Sequence, residues 1–270
     1  MVTQTTSAPL ADVIANLANL HRSRLNFVSA KVKIELQIKA IQRRMHGQGC
    51  AKATHAKCPG VYEVETPDIV ILREMALAPL EAQADARLKE MIREAKALPA
   101  HVLAFADETR GFGRPSLAQI VAEAGDLGQY ANPAKLWSRM GLGLAPDHNP
   151  RYEGRSPRRR ALMHVIGVNF VKAGGPYRDL YDERKAFEQT KPACLKPLKT
   201  KDDAEEGGKV CKDPAAECCK AGHIHNRTLR YVEKRLLREL WRAWRAANVE
   251  VAPMAEAPPP TPAHSQEASA

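Results

Sequence analysis

The segment from Leu10 to Met45 contains neither proline nor glycine, and it constrains the fold more than any other part of the chain. Apolar residues recur along it at alternating spacings of three and four, which is the periodicity of a helix that packs against a partner helix. The positions of this seam, eight of the ten being apolar, are Val13, Leu17, Leu20, Arg24, Phe27, Lys31, Ile34, Ile38, Ile41 and Met45. Arg24 and Lys31 interrupt it, and their aliphatic stems can lie along the seam while the charged ends reach water or set the register. The pattern predicts one long helix.

A second long helix is predicted over 67–98. The residues expected on its inner side are Ile71, Met75, Leu80, Ala84, Leu88, Met91 and Ile92. Pro79 lies inside this segment and is expected to kink it, because its ring displaces a helical hydrogen bond. We expect the two helices to form an antiparallel, coiled-coil-like arm over 10–98. Pairing with a second subunit through this arm, giving a homo-oligomer, and an ordinary helical bundle are the alternatives.

Four potential metal ligands fall in the connection between these helices: His46, Cys50, His55 and Cys58. Cysteine and histidine are the usual ligands of tetrahedral zinc, although this spacing follows no standard zinc-finger pattern. The alternative is a glycine-rich turn that carries the residues incidentally. The same two interpretations apply to the later group Cys211, Cys218, His223 and His225, where the histidines otherwise open the last helix.

The stretch RGFGRPSLAQIVAEAG, from Arg110 to Gly125, has the pattern of a helix–hairpin–helix. Gly111 and Gly113 allow a sharp turn that exposes backbone N–H groups, with Phe112 between them pointing inward. Amides at the start of the following helix, flanked by Arg110 and Arg114, favour a bound phosphate. This arrangement contacts a nucleic-acid backbone without reading its sequence.

A basic cluster follows the hairpin motif. Asn132-Pro133 predicts the start of a helix over 134–140 that presents Lys135 and Arg139 outward, and Ser156-Pro157 predicts the start of another over 158–172. Arginine binds phosphate oxygens in a bidentate manner, so the cluster favours phosphate over a merely solvated surface. The candidate nucleic-acid-binding residues are Arg110, Gly111, Gly113, Arg114, Lys135, Arg139, Arg151, Arg155, Arg158, Arg159 and Arg160.

The composition supports a polyanionic partner. The chain of 270 residues has a formal net charge of +10, and aromatic residues make up 5%, too few to suggest base-stacking platforms. No stretch approaches the roughly 20 apolar residues of a membrane span, and the N-terminus has no signal-peptide pattern. We therefore expect no membrane partner, a cytoplasmic location, and cysteines that are thiols or metal ligands.

The predicted organisation is all-α. It consists of a disordered tail (1–9), the helical arm (10–98), a helix–hairpin–helix domain (99–188), a flexible linker (189–222), a basic C-terminal helix that packs on the core (223–248) and a disordered tail (249–270). The stripe expected to pack inward on the last helix is Leu229, Val232, Leu236, Leu240, Trp241 and Trp244.

Several segments in this order carry a resemblance to a known family. They are 110–113 (RGFG), 122–127 (AEAGDL), 130–142 (YANPAKLWSRMGL) and 154–162 (GRSPRRRAL). This succession resembles the C-terminal domain of the insertion-sequence one-hundred-and-ten type transposases, the group that includes the RNA-guided bridge recombinases. The similarity runs from about Leu80 to Lys185 and resumes over His223–Trp244. It implies a coiled-coil insertion before the hairpin domain, DNA transposition or recombination as the process, and DNA and a structured guide RNA as partners.

The resemblance also implies chemistry that this sequence matches poorly. The family uses an acidic, magnesium-binding nuclease domain and a serine nucleophile in a Ser-Gly loop. Here the chain begins with the predicted arm, and the corresponding loop, Asp147–Glu153, contains no serine. The nearest hydroxyl is Ser156, which we interpret as a helix N-cap and keep as the candidate nucleophile. We expect a DNA-binding transposase relative without its own nuclease centre. The alternatives are a strand-transfer subunit whose magnesium-binding half comes from another chain, and a helical scaffold.

Overall fold

A computed structural model describes residues 9–49, 64–143, 156–190 and 220–251. Within these ranges the chain is helical and contains no strand, so the all-α prediction is confirmed. The α-helices are α1 (Leu10–Gly49), α2 (Pro67–Ile71), α3 (Ala78–Glu94), α4 (Ala100–Glu108), α5 (Gly113–Ala124), α6 (Pro133–Arg139), α7 (Pro157–Ala173), α8 (Pro176–Thr190) and α9 (Lys220–Val251). A π-helical segment, Leu72–Leu77, joins α2 to α3.

The arm is an antiparallel pair formed within one chain by α1 and the α2–α3 segment. Residue numbers rise along α1 as they fall along its partner in three successive contacts: Asn16 with Glu94 at 3.1 Å, Lys31 with Glu81 at 2.6 Å, and Gln42 with the Val64 carbonyl at 3.3 Å. The interruption of the seam at Lys31 therefore fixes the register. The ammonium group bridges to a carboxylate of the facing helix, which raises the lysine pKa.

The seam of α1 faces inward along most of its length. Val13 and Leu17 are fully buried, Ile38 is buried, and Met45, at the far end, is exposed. On the facing helix, Ala84 and Met91 are buried as predicted, but the inward placement of Ile71 and Met75 was wrong, since they are 53% and 77% exposed.

The π-helical segment explains this difference. The N–H of Ala78, the residue that follows the segment, bonds to the carbonyl of Arg73, five residues earlier. One added residue turns the preceding helix by roughly 100°. As a result Ile69, not Ile71, is buried. The wide turn ends two residues before Pro79, which has no N–H to donate.

The remaining helices form a core around α9. This helix packs against α4, α6, α7 and α8, and its apolar stripe is buried as predicted, apart from Trp241, which is partly buried. The indole N–H groups find acceptors: Trp244 bonds to Asp126 at 2.8 Å, Trp241 to the Tyr130 carbonyl at 3.0 Å and Trp137 to the Lys234 carbonyl at 3.1 Å. The large indole rings are thereby fixed in the core without an unsatisfied donor.

Candidate nucleic-acid interface

At the predicted helix–hairpin–helix, two helices, α4 and α5, are joined by the turn 109–112. Gly111 and Gly113 both have positive φ, 86° and 66°, a conformation that glycine adopts without strain. Phe112 is 4% exposed and meets Phe105 edge to face at 6.0 Å, so its inward orientation is confirmed. The helix α5 begins at Gly113, two residues before Pro115.

The two glycines of the turn have different surroundings. A Cβ on Gly111 would lie 2.9 Å from the Cβ of Ala173 and 3.1 Å from the Asn169 carbonyl oxygen. Gly111 therefore lets the turn pack directly on the C-terminal part of α7. A Cβ on Gly113 would meet only Pro115, at 3.5 Å, so the start of α5 is the open side of the turn.

The two arginines that flank the turn also differ. Arg114 binds the carboxylate of Asp107 through two nitrogens, at 2.9 and 2.6 Å, and ties the start of α5 back to α4. The hydrogen bond from Arg114 lowers the pKa of Asp107. Arg110 is exposed beside the turn that follows α7, with its Cδ 3.3 Å from the position of a Cβ on Gly175. In the described ranges no carboxylate pairs with Arg110.

A buried carboxylate, Glu123 near the end of α5, organises the start of α7. It is 4% exposed and lies 3.1 Å from Nε2 of His21, 2.7 Å from Nε of Arg158 and 3.0 Å from Nε of Arg159. Burial alone would raise its pKa, but the hydrogen bonds from His21 and Arg158 outweigh it and lower the pKa to about 2. Glu123 thus joins the arm, α5 and α7 in one ionic cluster.

A second buried carboxylate, Glu233 of α9, holds Arg160 in a short ion pair. Its side chain is fully buried, and burial raises its pKa despite the opposing effect of Arg160. The same part of α7 contacts the end of α6, since a Cβ on Gly141 would lie 3.3 Å from the Cβ of Arg160. Arg160 therefore serves mainly to neutralise a charge inside the core.

The predicted binding residues fall into two groups at opposite ends of α5 and α7. Arg110, Gly111, Gly113 and Arg114 surround the hairpin turn beside the C-terminus of α7, while the arginines at 158–160 lie at its N-terminus. The helix of 17 residues separates the two groups by roughly 25 Å. Lys135 and Arg139 are exposed on α6, which ends beside the second group.

The consecutive arginines differ in what they can offer to a ligand. The side chains of Arg159 and Arg160 are each 18% exposed and bind the buried carboxylates, whereas that of Arg158 is 57% exposed. Arg151 and Arg155 lie outside the described residues. The sequence did contain a signal that some of these arginines pair inside the fold. Glu123 and Glu233 each stand among the apolar residues of their helices, where a carboxylate needs a buried partner.

Ser156 is the N-cap of α7, as predicted. Its hydroxyl oxygen accepts the N–H of Arg159 at 3.3 Å, and its backbone φ and ψ are extended, as is usual at this position. Asn132 caps α6 in the same way, accepting the N–H of Lys135 at 3.2 Å. Over the described part of the chain no imidazole or carboxylate hydrogen-bonds to Ser156, so nothing there activates it as a nucleophile.

The candidate metal ligands are only partly covered. His46 lies near the end of α1, while Cys50, His55 and Cys58 lie outside the described residues, as do Cys211, Cys218 and the side chain of His223. His225 shares a hydrogen bond of 2.6 Å with the hydroxyl of Tyr181. In the ranges that the structure describes, no three histidine, cysteine or acidic side chains are grouped to hold a metal ion.

Comparisons with protein-family models, with curated proteins and with solved structures find no match to this chain. Of the helices described, none has the length and apolar content needed to span a membrane.

Proposed function

We propose that this chain is a transposase-related protein that binds the phosphodiester backbone of nucleic acid, and of DNA in particular, during transposition or recombination. The observation that carries the proposal is the helix–hairpin–helix turn, with the start of α5 open at Gly113 and the exposed Arg110 beside it. Backbone amides at a helix N-terminus together with a nearby cation bind a phosphate oxygen. The net charge of +10 and the motif order from Arg110 to Leu162 support the same function.

The second group of cations extends this surface. Lys135, Arg139 and Arg158 are exposed around the start of α7. With Arg110 they provide cations at two ends of the domain, roughly 25 Å apart, which is compatible with contacts to successive parts of one backbone. Arg159 and Arg160 are assigned to Glu123 and Glu233 and hold the surface in place.

The test is electrophoretic binding of the full chain to duplex DNA, a DNA junction and a structured RNA over a range of salt concentrations. In the domain variant, Arg110, Lys135 and Arg139 are replaced by alanine. The slope of log K against log salt is negative, and each lost contact to a B-DNA phosphate makes it less steep by about 0.9, so we expect its magnitude to fall by up to ~2.7. The control, Lys89→Ala/Arg93→Ala/Lys96→Ala, removes three exposed cations from α3 and the turn after it, where Glu90 and Glu94 also lie.

Binding that weakens in the domain variant and not in the control supports the proposal, and the relative affinities for the three probes identify the preferred ligand. Absence of binding by the unmodified chain at low salt refutes it. In that case a helical scaffold is the better description of the protein.

A further inference from the structure

The solvent face of α1 carries a line of cations that lies outside the proposed binding surface of the helix–hairpin–helix domain. Arg22, Lys33 and Arg44 are all exposed and follow one another at intervals of 11 residues. Eleven residues make almost three complete helical turns, so these three side chains lie nearly on one straight line along the helix. The rise of about 1.5 Å per residue places neighbouring cations ~16 Å apart and the outer two ~33 Å apart.

This basic line (Arg22, Lys33 and Arg44) carries no compensating acid on its own helix. The acidic residues of α1 are Asp12 and Glu35. Asp12 lies near the N-terminus of α1, and Glu35 is 3.7 Å from the ammonium group of Lys31, on the side that faces Glu81 of α3. The exposed residues between the three cations include Asn26, Ser29, Gln37, Ala40 and Arg43, together with the apolar Val32 and Leu36, and none of them is acidic. The face therefore presents one sign of charge along most of a 40-residue helix.

We infer that the basic line is a second nucleic-acid contact, which lies along the backbone of a duplex. In a duplex, each strand returns to the same side after one helical turn of roughly 34–36 Å. This distance corresponds to the ~33 Å between Arg22 and Arg44, so both can reach the same strand one turn apart. Lys33, between them, then faces the complementary strand where it crosses the same side of the duplex. A straight α-helix also suits a stiff duplex better than a flexible single strand.

The residues present indicate backbone contact without base recognition. Phe27 is the only phenylalanine, tyrosine or tryptophan of α1, and it is partly buried in the arm. The face therefore offers no ring on which an unpaired base can stack. Lysine and arginine at these intervals bind phosphates of any sequence, so the arm would add affinity and salt dependence without sequence preference.

This inference rests on the proposed function, and the experiment separates the two. The arm variant, Arg22→Ala/Lys33→Ala/Arg44→Ala, is compared with the unmodified chain, the domain variant and the three-cation control defined above. The probe is a duplex of about 24 base pairs, roughly two helical turns, titrated across a salt series. Circular dichroism and thermal unfolding establish that each variant retains its helices.

We expect the arm variant to reduce the magnitude of the salt slope by ~2.7, three contacts at about 0.9 each, while the control leaves the slope unchanged. If the unmodified chain does not bind the duplex, the proposed function itself fails. If it binds and the domain variant weakens binding but the arm variant does not, only the inference about the arm fails. An equal decrease in the arm variant and the control refutes it as well, because general loss of charge then explains the effect.

Two other ligands for the same surface are distinguished in parallel. Co-sedimentation with vesicles of phosphatidylserine and phosphatidylcholine tests an anionic membrane, and sedimentation velocity tests a second copy of the chain. Val32 and Leu36 lie next to the basic line and are 45% and 57% exposed, which makes the second measurement necessary. Loss of vesicle binding or of a dimer in the arm variant, with duplex binding unaffected, overturns the inference.

Discussion

The ionic cluster at Glu123 should contribute a large part of the stability of this fold. The substitution Glu123→Gln keeps the size of the side chain but removes the charge that His21, Arg158 and Arg159 share. In the native chain the glutamate pKa is about 2, compared with 4.5 when unfolded. At 1.36 kcal/mol per pKa unit, the ionised carboxylate stabilises the fold by about 3 kcal/mol at neutral pH. This value agrees with the usual cost of removing one partner of a buried ion pair, which is about 3–5 kcal/mol.

The same pKa shift predicts how this contribution depends on pH. Because the folded pKa is lower than the unfolded one, the stabilisation is complete above pH 4.5 and is lost as the pH falls toward 2. At pH 3 it should have decreased to roughly 1.4 kcal/mol. Urea unfolding of both proteins between pH 7 and pH 3 measures the difference directly, since the effects of the other carboxylates cancel. This account would be refuted if the free energy of unfolding of the variant were less than about 0.5 kcal/mol below that of the native chain at neutral pH, or if the difference did not shrink in acid.

Two further substitutions test the hairpin turn and the start of α7. Gly111→Ala should destabilise the chain by about 2–3 kcal/mol, because it combines positive-φ strain with a Cβ 2.9 Å from that of Ala173. Gly113→Ala, whose φ of 66° is also positive but whose Cβ would meet only Pro115 at 3.5 Å, should cost only about 1–2 kcal/mol. Equal unfolding midpoints for the two in urea would show that contact with α7 is unimportant. Ser156→Ala should cost about 1 kcal/mol of stability through loss of the cap, and Ser156→Asp should restore most of it. Thermal unfolding measures both, and a destabilised aspartate variant would contradict the capping role.

The arm shows which features of the fold the apolar periodicity of the sequence predicts and which it does not. Repeating apolar residues without proline or glycine predict a long helix and its inner seam, since both follow from 3.6 residues per turn. The same reasoning failed at Ile71 and Met75, because it assumed one uninterrupted helix through 67–98. The π-helical segment before Pro79 adds a residue and changes which side chains face inward. Such a change of phase depends on how the whole segment packs and is not visible in local spacing.

The arginines at 158–160 show that the sequence alone also does not predict which charged side chains are free to bind a ligand. Sequence alone determined that this chain is helical and basic and that it has a glycine-containing turn between two helices. These features follow from helix propensity, composition and turn chemistry, which are local properties. It could not determine which cations are free, since that depends on carboxylates far away along the chain. Folding brings Glu123 to Arg158 and Arg159 and Glu233 to Arg160, over separations of 35, 36 and 73 residues. A buried carboxylate must be paired with a nearby cation, and only the packing of α5, α7 and α9 decides which cation that is.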